Sequence, residues 1–272
     1  MTTMTDVEIP LPGGDVTDGV VRVGDTVRRP IGDHSALVHR VLRHLEDAGF
    51  AGAPRLLGVD DRQREILTFV DGEVAGRPWP AWVADDARAE SVARLLRRLD
   101  DAMVPFGLPS DVPVDAPERP GVPSRPGPPP TFLGHRDVTP ENTVFREGTA
   151  VALIDFDLVR PSTRVDEVTN LLLWWGAWMP PEDRAEVVRD VDAAARGRRL
   201  LDAYDLEEDL RRWVVPVSVS TAQRSWHSMR ERAETLGGGW ARMWQAGVGD
   251  QIRRRERWLR ENEAVLTAAV MG

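Results

Sequence analysis

Cysteine is absent from this chain, which excludes disulfides and thiolate metal sites and fits a reducing compartment. Lysine is absent as well: all 35 basic side chains are arginine. No long hydrophobic run occurs either. The longest, Leu171 to Met179 with Trp174, Trp175 and Trp178, falls short of the roughly 18 residues that a membrane span needs. The opening MTTMTDVEIPLPGGD has neither a basic start nor an apolar centre, so no signal peptide is expected and the cytoplasm is the expected location. A formal net charge of -9 speaks against sequence-independent nucleic-acid binding, which depends on basic side chains neutralising phosphates. It is compatible with a cationic small-molecule partner. With 272 residues the chain can bury a substantial core, and two lobes are expected.

What is present is concentrated in one stretch, GHRDVTPENTVFREGTAVALIDFDLV, from Gly134 to Val159. His135, Arg136 and Asp137 precede Asn142, and Ile154, Asp155 and Phe156 follow. The first group has the H-R-D-x-x-x-x-N order of a phosphoryl-transfer loop, and the second stands where D-F-G would. Moving a γ-phosphoryl group requires positioning and charge neutralisation more than covalent work. Asp137 is therefore the candidate base for an attacking hydroxyl. Asn142 and Asp155 are candidate ligands of Mg²⁺, which takes few protein oxygens and completes its octahedron with water and phosphate. Between them, Thr143-Val144-Phe145, the turn Arg146 to Thr149 and Val151 to Ile154 predict a β-hairpin that sets Asn142 beside Asp155. A plainer account of the same residues makes Thr139-Pro140-Glu141 a helix start, with Thr capping and Pro first.

On these motifs the chain resembles the aminoglycoside phosphotransferase-like family, whose members have the protein-kinase-like fold and phosphorylate small molecules. Asp157 in the third position of the metal motif is similar to that family and unlike protein kinases. Arg136 stands where the family more often has Gly. The resemblance implies an α+β bilobal fold, with a small antiparallel sheet lobe carrying one helix (residues 1–71) and a larger, mostly helical lobe (residues 72–272). It also implies ATP and Mg²⁺ in the cleft between them.

Reading from the start, the segment containing Gly13 and Gly14 is either a plain turn or the loop that covers the phosphates with backbone N–H groups. Val20 to Val23, the Gly24-Asp25 turn and Thr26 to Arg29 predict a tight hairpin. Where a kinase places its phosphate-holding lysine, this chain has Arg28 and Arg29, of which strand alternation lets one face the cleft; resemblance favours Arg29. Ser35 to Ala48 predicts an amphipathic helix with Val38, Val41, Leu42 and Leu45 on its apolar face, a cap at Asp33 or Ser35, and Gly49 as its stop. His39 matches the position from which that helix would supply a glutamate to the lysine, and either faces the phosphates or simply packs. Two further strands lead to a hinge at Asp71-Gly72. By resemblance the backbone around Phe69 to Asp71 holds adenine.

After the hinge, Asp85 to Met103 predicts the central helix of the large lobe, with Val92, Leu95, Leu96 and Leu99 inward. Residues 109–130, rich in proline, are expected to form a semi-rigid surface connector. Asp166 either caps the next helix or, as in the family, is an acid that braces the catalytic loop; His135 is a separate supporting residue. The tryptophans of that helix are expected in the core. From Pro181 to Val270 the pattern is helical, with breaks expected at Gly197, Pro216 and Gly237 to Gly239. Carboxylates there, such as Glu207, Glu208, Asp209, Glu231 and Glu234, either meet a cation or form a solvated face. Two functions follow: a small-molecule O-phosphotransferase using ATP and Mg²⁺ on a hydroxyl acceptor, and a catalytically weak kinase-fold nucleotide-binding or immunity-type protein. The loss of the usual lysine and glutamate motivates the second.

Overall fold

The computed structural model describes residues 7–11, 19–114 and 121–272; the predicted phosphate-covering glycines, Gly13 and Gly14, lie outside these. The first part is a five-stranded antiparallel sheet. Its strands are β1 (Ile9–Pro10), β2 (Val21–Val23), β3 (Thr26–Pro30), β4 (Leu56–Val59) and β5 (Arg64–Thr68), in the spatial order β1-β2-β3-β5-β4. Gly24, with φ +57°, makes the turn between β2 and β3, a conformation that glycine adopts without a Cβ penalty.

One helix, α1 (Ser35–Asp47), accompanies the sheet and buries Val38, Val41, Leu42 and Leu45. That i, i+3, i+4, i+7 spacing is the stripe expected of a half-buried helix. Its cap differs from the expectation: His34 occupies the N-cap position with no side-chain bond. The Ser35 hydroxyl accepts instead from the Gly32 N–H at 3.0 Å, one turn back. Gly49, with φ +70°, follows the helix end as expected.

The second part is built on α2 (Asp86–Met103). The Asp85 carboxylate accepts from the Arg88 N–H, and Val92, Leu95, Leu96 and Leu99 are buried. Strand β6 (Phe132–Gly134) pairs with β9 (Arg160–Ser162), and β7 (Thr143–Arg146) with β8 (Thr149–Leu153). Glu147 and Gly148, at φ +49° and +77°, turn the β7–β8 hairpin, the paired left-handed geometry that suits the twist of a two-residue turn. The helices α3 (Arg164–Trp174), α4 (Ala193–Tyr204), α5 (Glu208–Arg211), α6 (Val214–Thr235), α7 (Gly238–Gln245), α8 (Val248–Glu261) and α9 (Glu263–Met271) complete it. The architecture is the α+β kinase-like fold, a small sheet lobe beside a helical one. Among the described residues no helix is long and apolar enough to cross a membrane.

Two expected helix breaks are not breaks. Pro216 sits in the first turn of α6, where the missing N–H has no intrahelical partner to lose. Gly197 lies inside α4 because a Cβ there would meet Trp178 Nε1 at 2.7 Å. Close approach, not chain termination, selects it. Gly237 does precede α7. Trp175 and Trp178 are fully buried, as expected of core side chains. The proline-rich segment is less free than a connector. Arg125 in it reaches into the body and donates to Asp166 Oδ2 at 2.5 Å and to the Thr163 hydroxyl at 2.9 Å.

The join between the two parts is strapped to the β7–β8 hairpin. Glu73 and Phe145 exchange both backbone hydrogen bonds at 2.8 Å, and Arg146 Nε donates to the Asp71 carbonyl at 2.9 Å. Gly72, at φ +152°, passes so close that a Cβ would lie 2.5 Å from Val144 Cγ1 and 2.6 Å from the Phe145 carbonyl oxygen. The Gly72→Ala variant is accordingly expected to lose about 2–3 kcal/mol of stability through overpacking, read as a lower urea midpoint with an unchanged m-value.

Candidate functional site

The β7–β8 register sets the geometry. Thr143 pairs with Leu153, and one step beyond the ladder the Ile154 N–H donates to the Asn142 carbonyl at 2.9 Å. Asn142 and Asp155 therefore leave the hairpin side by side. Before Asn142 the chain makes a single 3-10 turn, Pro140–Asn142, capped by the Thr139 hydroxyl. The helix-start account of these residues and the catalytic-loop account describe the same turn. It swings the Asn142 amide back onto Asp137, with Nδ2 donating to Asp137 Oδ2 at 2.8 Å and to the Asp137 carbonyl at 3.1 Å. The structure thus brings Asp137, Asn142 and Asp155 together.

Burial raises the Asp137 carboxyl to about 7, assisted by the charge of Asp155 and opposed by the Asn142 hydrogen bond. A carboxylate poised there can take a proton from a hydroxyl near neutral pH. His135, buried against Phe156 with ring centroids 4.5 Å apart, is pushed down to about 4 by burial and is neutral. Its Nε2 bonds the Ile154 carbonyl at 3.1 Å and its Nδ1 accepts from the Asp137 N–H at 3.3 Å. The imidazole ties the loop to the hairpin.

Helix α3 clamps the loop from behind. The Val138 N–H donates to Asn170 Oδ1 at 2.7 Å and the Val138 carbonyl accepts from Trp175 Nε1 at 3.0 Å. Glu167, fully buried, accepts from the Arg136 N–H at 3.2 Å and from the Ser162 hydroxyl at 2.5 Å. Gly134 has no alternative there, since a Cβ would lie 2.0 Å from Glu167 Oε1. Asp166 is not the N-cap that the sequence suggested: Thr163 takes that position, and Asp166 lies one turn into the helix. Its side chain completes a capping box with Thr163, and its Oδ1 lies 3.6 Å from Arg136 Nη1. Burial would raise its carboxyl, but the charges of Arg136 and Arg125 hold it below the usual range. Arg136 is left-handed at φ +64°, which explains a preference for Gly at this place. Here the two acids of α3 hold the arginine. Asn170, Trp175 and Glu167 escaped sequence reasoning because their partners are backbone atoms more than 30 residues away.

On the sheet side, Arg29 and Arg28 diverge as strand alternation demands. Arg29 pairs with Asp155, Nη1 to Oδ1 at 3.3 Å, and with Asp157 through Nη2. Arg28 turns to the other face, where Nη1 donates to the Thr26 hydroxyl at 2.5 Å and Nε lies 3.9 Å from Asp60. That removes Arg28 from the candidate phosphate ligands. The acid that steadies Arg29 comes from an unexpected place. Glu65, directly across the β3–β5 ladder and 1% exposed, lies 2.8 Å from Arg29 Nε. His39 Nε2 meets the other oxygen of Glu65 at 2.6 Å. A strand glutamate therefore replaces the helix glutamate, and His39 backs it from α1. Burial disfavours the Arg29 charge, yet Asp157, Asp155 and Glu65 outweigh it and raise its pKa.

The set fits a divalent cation of the magnesium type. Asn142 and Asp155 supply oxygens, and the cationic guanidinium of Arg29 already lies against Asp155 and Asp157. Among the described residues there is no cluster of three or more His, Cys, Asp or Glu that could hold a metal. At the join, the Phe69 N–H is taken by the Asp25 carbonyl at 2.8 Å and the Asp71 carbonyl by Arg146. The Arg22 guanidinium lies 3.7 Å from the centroid of the Phe69 ring. Of the helical carboxylates, Glu207 meets Arg97 at 3.3 Å and Glu234 meets Arg230 at 2.8 Å, and Glu208 and Asp209 flank an open surface hollow with Arg212 and Met271.

A family model described as the phosphotransferase enzyme family, APH, matches residues 113–204, the span that holds the loop, the hairpin and α3. The trifolitoxin immunity protein of Rhizobium leguminosarum bv. trifolii is 36% identical over 210 residues, 75% of this chain and 76% of that protein. Among solved structures, a choline/ethanolamine kinase family protein from Mesorhizobium loti superposes with a TM-score of 0.61 at 17% identity, over 98% of this chain and 93% of that one. The gentamicin complex of APH(2")-IIa gives 0.52 at 14% identity, over 98% and 93%. At those identities the likeness is one of fold.

Two outcomes follow from the geometry. Because Asp137 titrates near 7 in the folded chain and near 4 when unfolded, its ionisation costs the native state more and more as pH rises through that interval. Asp137→Asn lacks that cost, so its stability advantage over the native chain is expected to grow by about 2 kcal/mol between pH 5 and pH 8, followed by denaturant melts at both pH values. Removing Glu65 takes from Arg29 its buried partner and from His39 its carboxylate, and Glu65→Ala is expected to lose about 3 kcal/mol, measured the same way.

Proposed function

The chain belongs to the aminoglycoside phosphotransferase-like family of phosphotransferase enzymes, and on that premise we propose that it moves the γ-phosphoryl group of ATP to a hydroxyl of a small molecule. The observation that carries the reading is the meeting of Asp137, Asn142 and Asp155 at the open end of the β7–β8 hairpin. The acceptor hydroxyl approaches Asp137, which takes its proton as the new O–P bond forms. The bond from the γ-phosphorus to its bridging oxygen breaks and ADP leaves. Asn142 and Asp155 are the residues that would hold Mg²⁺, which supplies charge neutralisation on the phosphates when bound.

Arg29 faces the same place and, freed from Asp155 and Asp157, can meet phosphate oxygens through two parallel N–H groups. Glu65 and His39 keep it from swinging away. Val70 has no backbone hydrogen bond among the described residues, so its peptide groups, between the engaged Phe69 N–H and Asp71 carbonyl, are the ones free to read the adenine edge. The compartment proposed with this activity is the cytoplasm, where ATP is abundant.

A second reading has its own support. The Arg29 guanidinium already neutralises both acids of the metal motif, and a relative is named for immunity. On that reading the chain binds nucleotide or a toxic small molecule without turnover. One assay separates the two: γ-labelled ATP with Mg²⁺ and a panel of amino sugars and hydroxylated metabolites, run on the native chain and on Asp137→Ala. Phosphotransfer is expected from the native chain and a fall of about 10²-fold or more in the variant, as for loss of a general base. Equal ATP-induced thermal stabilisation in both proteins with no labelled product on any acceptor would favour the binding protein.

A further inference from the structure

The proline-rich segment before β6 is tied to the body at a place that bears on the catalytic loop. All three nitrogens of its Arg125 guanidinium donate. Nε reaches Asp166 Oδ1 at 3.1 Å, Nη2 reaches Asp166 Oδ2 at 2.5 Å and the Thr163 hydroxyl at 2.9 Å, and Nη1 reaches the Pro128 carbonyl at 2.5 Å. Two parallel bonds to one carboxylate are the fork that arginine offers and lysine does not. Helix α6 fixes the same segment from the other side. Arg224 Nη1 donates to the Pro123 carbonyl at 3.1 Å, and a Cβ on Gly127 would meet Val217 at 3.5 Å and Trp213 at 3.6 Å.

Asp166 passes the contact on. Its Oδ1 also lies 3.6 Å from Arg136 Nη1, and Glu167 Oε1 lies 3.9 Å from the same nitrogen. That nitrogen makes no hydrogen bond, so charge alone holds it. Arg136, Asp166 and Glu167 are all buried, where charges must be compensated by one another because water does not reach them. Were Arg125 absent, Asp166 would keep Arg136 as its cation within 4 Å and would draw that guanidinium away from Glu167. The consequence falls on the backbone. Arg136 has φ +64°, a left-handed conformation that is costly for a residue with a Cβ, and it directly precedes Asp137. Relaxing it would swing the Asp137 N–H off His135 Nδ1, 3.3 Å away, and the Val138 N–H off Asn170 Oδ1, 2.7 Å away.

We propose that Arg125 is a positioning residue of the catalytic loop, acting through Asp166 on Arg136 and so setting the backbone that carries Asp137. The role deepens the phosphotransfer reading and, for its effect on turnover, rests on it. The dependence is conditional on the side chain at position 136. A glycine there takes the left-handed conformation without a Cβ penalty, and the loop then no longer needs Arg125.

Amide hydrogen exchange reads the loop without an acceptor. The Asp137 and Val138 amides are the reporters, and the amides of β3 and α4 are the references for overall stability. Arg125→Ala is expected to speed exchange of both reporters about tenfold while the references stay within about twofold. Arg125→Lys, which keeps the charge and loses the fork, is expected to recover part of that protection. Asp166→Asn breaks the middle of the relay and is expected to reproduce Arg125→Ala. In an Arg136→Gly background, adding Arg125→Ala is expected to change the reporters by less than about twofold. Unchanged reporters in Arg125→Ala, a rise shared equally by the references, or the same increment with and without Arg136 would overturn the proposal. Should the alanine variant not fold, Arg125→Lys carries the comparison: a partial rise that vanishes beside Arg136→Gly supports the role, and an unchanged loop defeats it. With ATP, Mg²⁺ and any acceptor that is turned over, Arg125→Ala is expected to lower kcat about tenfold with the KM for ATP unchanged, since the loop and not the nucleotide is displaced. An unchanged kcat would also overturn it. Absence of turnover by the native chain on every acceptor defeats the phosphotransfer reading, and the exchange data then decide the positioning role alone.

Discussion

A single backbone hydrogen bond, from the Ile154 N–H to the Asn142 carbonyl, closes the hairpin whose open end is the site. Strand pairing allows no intermediate register: a slip by one residue would turn every side chain of β7 and β8 to the opposite face. The buried faces of Val144, Phe145, Ala150, Ala152 and Leu153 forbid that slip. The position of Asp155 relative to Asn142 is therefore secured by hydrophobic burial several residues away. Around this closure the other contacts arrange themselves. His135 ties the preceding loop to the Ile154 carbonyl, α3 holds both peptide groups of Val138, and the Glu73 backbone adds itself to the outer side of β7.

The absence of lysine shapes the electrostatics throughout. An ammonium can shed its proton or swing on a flexible stem, whereas guanidinium stays charged and presents a rigid fork. Two arginines of the core meet that demand with several acceptors at once. Arg196 does so with the carbonyls of Trp175, Ala84 and Val83 at 2.6–2.8 Å, pinning α4 to the segment before α2. Arg29 does so with Glu65, Asp155 and Asp157, and in doing so spans the two parts of the fold. An acid on β5 suits this job better than one on α1. It lies on the same sheet as Arg29, so their relative position is set by ladder hydrogen bonds and does not depend on how the helix packs.

Much of the site was readable in the order of residue types. The loop, the hairpin and the left-over acid form a pattern in which each element constrains the next, and the turn residues Glu147 and Gly148 agree with it. The readings that failed did so for a common reason. Gly197 and Pro216 look like helix breakers because propensity is local, while Trp178 and the free first turn of α6 decide their fate. Capping failed at Asp33 for a similar reason, since the chain enters α1 through a turn in which Ser35 folds back to Gly32. The role of Glu65 was invisible because an exposed edge strand and a cross-strand partner of Arg29 have the same sequence signature.

Residue order alone settled the chemistry on offer: an acid, an amide and a second acid at a spacing that a tight turn and a hairpin convert into one place, with arginine as the sole cation available to phosphate. Period and turn chemistry settled the α+β division for the same local reason, because hydrogen-bonding geometry repeats every few residues. Which arginine of the Arg28-Arg29 pair faces the acids and which glutamate receives it were decided only when distant segments packed. Charge compensation acts over a few ångströms of space, and a separation of 36 residues along the chain, from Arg29 to Glu65, carries no trace of it in the sequence.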